Sequence, residues 1–163
     1  MRLSMAATIV ASAILNGQQP TSTLQLQIAQ VGSPPRVGEA VRLEVRVVNT
    51  SRETRPGIVP LDWPNRYFVI EVRAPDGSVL SPNLTTLDEG PPSKTSPTAQ
   101  ARIPAGAFVG RLLTISRERT SERGFHFAVA GTYRVAALLT VFDSNLRHGA
   151  TLASDTVAVR VEP

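Results

Sequence analysis

From Leu24 onward, short runs alternate apolar and polar residues and are separated by turn-forming residues. Leu24, Leu26 and Ile28 fall on one side of the first run and Gln25 and Gln27 on the other. Val41, Leu43, Val45 and Val47 alternate with Arg42, Glu44 and Arg46, between Gly38-Glu39 and Asn49-Thr50-Ser51. A period of two marks a strand with one face on a core and one in water, because successive side chains point to opposite faces. The same reading predicts strands over residues 67–74 (Phe68, Ile70 and Val72 inward), 79–86, 108–115 and 157–161 (Val157, Val159 and Val161 inward). Residues 133–142 put Tyr133, Val135, Ala137, Leu139 and Val141 on the inward face, while Ala136, Leu138 and Phe142 leave little that is polar on the other, as in a central strand. About seven short strands with no long helical period predict an all-β antiparallel sandwich.

The intervening segments read as turns and loops. Ala74-Pro75-Asp76-Gly77 suits a type I turn, with proline presetting the first central residue and glycine last. Residues 50–65, with Pro56, Gly57, Pro60, Pro64 and the only tryptophan, Trp63, are predicted to be an irregular loop. Residues 87–100, rich in proline, serine and threonine, form a long exposed loop, and the charged residues 117–124 a loop or one helical turn. Phe125 and Phe127 cover the core with His126 turned outward, and a turn over residues 143–149 leads to the last strand.

The order of these pieces is distinctive. Gly-Glu-Ala-Val-Arg-Leu-Glu-Val-Arg-Val-Val-Asn-Thr-Ser runs from Gly38 to Ser51, Ala-Pro-Asp-Gly stands at 74–77 and Ile-Pro-Ala-Gly at 103–106, and Phe-x-Phe-x3-Gly-Thr-Tyr-Arg-Val runs from Phe125 to Val135. Over residues 24–163 this resembles the bacterial immunoglobulin-like domains of exported and cell-surface proteins, and more weakly a single-domain proteinase-inhibitor family of similar design. The resemblance implies an immunoglobulin-like antiparallel β-sandwich. It makes Tyr133, fed by the Gly131 turn, the corner tyrosine whose hydroxyl bonds back to the backbone. Antibody domains carry cysteine two residues after that tyrosine; Val135 stands there, so only the architecture transfers. In this topology residues 50–66 and 143–149 lie at one end of the sandwich and would gather Trp63, Arg66, Arg147 and His148 into a recognition surface, since tryptophan and arginine dominate binding hot spots. The competing role for Trp63 is a lid folded back over the open end of the core.

Composition narrows the function classes. The chain has 163 residues and no cysteine, which excludes disulfides, thiolate metal sites, a cysteine nucleophile and a lipid-modified N-terminus. Arg2, an apolar stretch over residues 3–10 and Ala11-Ser12-Ala13 read as an export signal. The expected organisation is therefore a leader over 1–17, a linker over 18–23 and one sandwich over 24–163, placed in the periplasm or outside the cell with no further membrane-crossing segment. The net charge is +4, and of 17 basic residues only Lys94 is lysine. Acidic residues are interleaved throughout, aromatics make up 5%, and no basic run forms, so nucleic acid is not an expected partner.

Candidate chemistry is sparse. The two histidines, His126 and His148, are far apart and form no zinc-binding spacing, and neither a calcium loop nor a phosphate loop is present. Asp143-Ser144 with His148 supplies the residue types of a serine nucleophile and its base, but within one short turn and without a nucleophile elbow. The Asn-x-Ser/Thr triplets at Asn49 and Asn83 read as turns. The expectation is a non-enzymatic module without cofactor that binds a protein or cell-envelope component through the Trp63 end. The alternatives are a proteinase inhibitor acting through residues 87–100 and a carbohydrate-binding module using Trp63, Tyr67 and Phe142.

Overall fold

A computed structural model describes residues 23–83, 100–116, 124–143, 145 and 147–163. The expected leader, all but the end of the linker, nearly all of the 87–100 loop, residues 117–123 and Ser144 lie outside the described residues. Ten strands follow in chain order: β1 (Leu24–Gln30), β2 (Arg42–Asn49), β3 (Arg55–Ile58), β4 (Phe68–Arg73), β5 (Val79–Leu80), β6 (Gln100–Ile103), β7 (Phe108–Thr114), β8 (Gly131–Phe142), β9 (His148–Ala153) and β10 (Val157–Val161). All pairings between them are antiparallel. One sheet has the order β1-β2-β7, and the other is built around β8. The fold is an all-β sandwich.

Twelve residues long, β8 is the spine of the larger sheet. On one edge it pairs with β4 along residues 134–139, and on the other with β10 at its start and β9 at its end. Phe142 pairs with both Ile58 and His148, which places β3 beyond β4 on the first edge. β8 is thus a central strand, with a partner on each edge over most of its length, and of its outward apolar residues Leu138 stays half exposed. The predicted inward residues meet between the sheets, with Leu43, Val45, Val47, Val72, Val135, Leu139 and Val159 all but inaccessible. Burial of such a side chain stabilises the fold by roughly 1.5–3 kcal/mol.

The corner forms as anticipated. The buried Tyr133 hydroxyl donates to the Val129 carbonyl at 2.8 Å and accepts from the Val129 N–H at 3.3 Å, while Phe127 packs edge-on against its ring at 4.8 Å. Gly131 precedes it with φ +148°, and an added Cβ would stand 2.6 Å from Cγ of Pro75. The corner therefore clamps the turn between β4 and β5 against the start of β8. That turn closes by a Gly77 N–H to Ala74 carbonyl bond of 2.9 Å with Gly77 at φ +87°, the type I turn with a following left-handed glycine that suits hairpins. Asp76 accepts from the Ser78 hydroxyl and N–H, and the hydroxyl bond, then the amide, hold its carboxyl below the usual carboxylate range.

The seven expected strand segments all carry strands, the 79–86 segment at Val79–Leu80 with residues 84–86 outside the described residues, and β3, β6 and β9 join them. Within the expected 50–65 loop, β3 pairs with β6 although it contains Pro56 and Gly57. Four residues carrying a proline and a glycine show no period-two signal. The expected 143–149 turn is tighter than read: the Asp143 N–H donates to the Arg147 carbonyl, and the Asp143 carboxylate accepts from the Asn145 and Arg147 amides. His148 thus opens β9 rather than sitting in the turn.

Asn49 ties the two sheets together. Its side chain is fully buried at the end of β2, and Nδ2 donates to the carbonyls of Glu53 at 2.7 Å and Ile103 at 2.8 Å. Oδ1 accepts from the Ser51 amide and hydroxyl, and the Asn49 main chain bonds Gly106 and Ala107 on the turn into β7. Asn49 of the expected turn triplet ends β2 and is buried with its amide nitrogen already engaged, while Thr50 is exposed and the chain bends over residues 51–53.

Candidate functional site

The residues between β3 and β4 make an excursion from the large sheet to the free edge of the small one. Val59 and Leu61 are buried, and Asp62 pairs with Arg111 on β7. Arg111 lies opposite Val45, on the inward register, yet it stays exposed at the β7 edge, where a charge discourages further strand pairing. Trp63 follows, half-buried, with its ring stacked on Phe125 at 5.7 Å and 15° and joined to Pro64 by a cis peptide. It packs against the main core and covers its flank.

The other expected recognition residues lie around Tyr67 and Phe142. Phe125 takes a backbone bond from its amide to Ile115, which in turn bonds Val41 at the start of β2. Arg147 and the His148 main chain lie where β8 ends. There Tyr67 meets Phe142 edge-on at 4.8 Å, and the Arg66 guanidinium lies 4.7 Å over the Tyr67 ring and bonds its hydroxyl. Arg66 and Arg147 are exposed at this end; the His148 side chain lies outside the described residues. Arg66, Arg147 and the His148 backbone therefore share one end through Tyr67 and Phe142, while Trp63, three residues before Arg66, lays its ring on Phe125.

A second surface escaped the sequence reading. The outward residues of the small sheet are Gln25, Gln27 and Ala29 on β1, Arg42, Glu44, Arg46 and Val48 on β2, and Phe108, Gly110, Leu112 and Thr114 on β7. Phe108 and Leu112 are 52% and 55% exposed, large apolar side chains standing in water on one strand. The Arg46 guanidinium lies 4.5 Å over the Phe108 ring and pairs with Glu44 at 2.7 Å. Gly110 stands opposite Arg46, and a Cβ there would come within 2.9 Å of the Val45 carbonyl and 3.2 Å of Arg46 Cγ, so glycine lets the arginine lie flat along the sheet. The signal in the sequence is the parity of β7: with Leu113 inward, Phe108 and Leu112 must face out.

Among the described residues no three His, Asp or Glu side chains are grouped to hold a metal ion, and no helix is long and apolar enough to cross a membrane. His126 is exposed between the buried Phe125 and Phe127. No protein-family model matches this chain, and no curated protein matches it.

Proposed function

We propose that this chain is an exported, non-enzymatic binding module of the immunoglobulin-like type, and that its partner is a protein held against the outer face of the small sheet. The observation that supports this is the pairing of exposed Phe108 and Leu112 with an arginine laid across the aromatic ring. Aromatic and arginine side chains dominate protein interfaces, and covering two half-exposed apolar side chains recovers roughly 25 cal/mol per Å². Export rests on the leader pattern of residues 1–17. A photoreactive residue at Leu112, with a control at the equally exposed Val129, tests the reading in the native host. A discrete protein captured at 112 and absent at 129, and lost in Phe108→Ser, is the expected result; equal capture at both positions, or none, refutes it.

The proteinase-inhibitor alternative rests on residues 87–100 and is separated by titrating a protease panel. A carbohydrate-binding module would stack a sugar on an open aromatic face, whereas the Phe108 face carries Arg46 and the rings of Tyr67 and Phe142 meet each other.

A further inference from the structure

The outer face of the larger sheet is arranged in rows of different chemistry. Arg73 on β4 stands directly opposite Arg134 on β8, with Ala158 of β10 on the far side. Two residues along β8 the row is Glu71 and Ala136; two further it is Val69 and Leu138, with Ala153 of β9 beyond. Val69 and Leu138 are 50% and 48% exposed. A shallow groove of about 400 Å³ runs over the first two rows, floored by Ala136 and Ala158 and edged by Thr156.

Like charges directly opposite on neighbouring strands repel, so the Arg73–Arg134 pair is a cost to the sheet. Glu71 takes Nε of Arg73 at 2.8 Å. No salt bridge among the described residues includes Arg134, which is exposed and lines the groove. One acid stands beside two guanidiniums and pairs with Arg73 alone, which leaves one positive charge in excess among the three.

We propose that this face binds an extended acidic peptide segment running along β8. A partner Asp or Glu carboxylate sits between Arg73 and Arg134, and an apolar side chain four residues away rests on Val69 and Leu138. The spacing is commensurate: the rows are alternate residues of a strand, about 6.6–6.8 Å apart, and alternate side chains of an extended peptide have that separation too. The ligand side chain between them is small and neutral, since Glu71 repels an acid there and Ala136 supplies only a floor. This surface lies on the opposite sheet from Phe108 and stands independently of it.

Fluorescence anisotropy with labelled extended peptides tests the proposal, using the mature chain and Glu-x-Thr-x-Leu in a neutral Ser/Thr frame. Expected are saturable, salt-weakened binding, a loss of tenfold or more in Arg134→Gln and in a peptide with lysine for glutamate, and a smaller loss in Leu138→Ser. Leu112→Ser, on the other sheet, leaves the affinity unchanged. Arg134→Gln keeps the wild-type melting temperature or raises it, because it removes a like-charge pair, so lost binding is not lost folding. No binding, equal binding of the lysine peptide, or unchanged affinity in Arg134→Gln overturns the proposal. So does Arg134-dependent binding to phosphatidylglycerol vesicles with none to the peptide.

Discussion

Removing the Asn49 side chain tests the claim that one buried amide joins the two sheets. Asn49→Ala deletes a 2.8 Å donor to the Ile103 carbonyl and the acceptor of the Ser51 amide, while the Ser51 hydroxyl, 2.9 Å from the Glu53 carbonyl, is freed to donate to it. Two groups thus lose a partner, and each costs about 1–3 kcal/mol when buried. Because the Ser51 site is only part-buried, the sum falls in the lower half of the resulting range of about 2–6 kcal/mol, at about 3 kcal/mol, a large share of a typical stability of about 5–15 kcal/mol. Asn49→Asp is close in shape but turns a carboxylate oxygen toward the Ile103 and Glu53 carbonyls. Burial there raises the carboxyl's folded-state pKa above its unfolded value. The Asn49→Asp deficit is therefore greatest above the folded pKa and shrinks as pH falls toward the unfolded one. Urea unfolding at several pH values, read by the fluorescence of Trp63 stacked on Phe125, measures both. An Asn49→Ala loss under about 0.5 kcal/mol, or an Asn49→Asp deficit independent of pH, would refute the reasoning.

Three further outcomes follow from the corner and its turn. Tyr133→Phe removes the hydroxyl from two Val129 backbone groups; because Val129 is itself exposed and can recruit water, the loss in a urea melt is about 1–2 kcal/mol. Gly131→Ala forces a Cβ to within 2.6 Å of Pro75 Cγ at φ +148° and costs about 2–4 kcal/mol; combining it with Pro75→Ala relieves part of that, so additive losses in a double-mutant cycle would exclude the clamp. Asp76 has its carboxyl lowered by the Ser78 bonds, so its stabilisation is present above the unfolded pKa and is lost as pH falls through the folded one. Ser78→Ala should therefore narrow the difference between melts at neutral and acid pH, and an unchanged difference counts against the turn's role.

The parts of the fold that were legible are those where local chemistry and tertiary demand agree. Period-two alternation in β2 and β4, a glycine before a tyrosine, and Pro-Asp-Gly in a hairpin each have one physical solution, and the structure adopts it. Where the alternation is short or interrupted, pairing is decided by neighbours distant in sequence. Residues 55–58 become a strand because Gln100–Ile103 arrives beside them, which no local reading of Arg-Pro-Gly-Ile contains. Trp63 shows the same limit. Its residue type fits both a hot spot and a lid, and the choice falls to the path of residues 59–66 toward Phe125 and Arg111 at the β7 edge. The surfaces that stand out afterwards, Phe108 with Arg46 and Arg73 with Arg134, are pairings across strands. Each residue alone is an ordinary outward position. Only the register sets an arginine over an aromatic ring on one sheet and an arginine against an arginine on the other, so register carries the functional information that composition withholds.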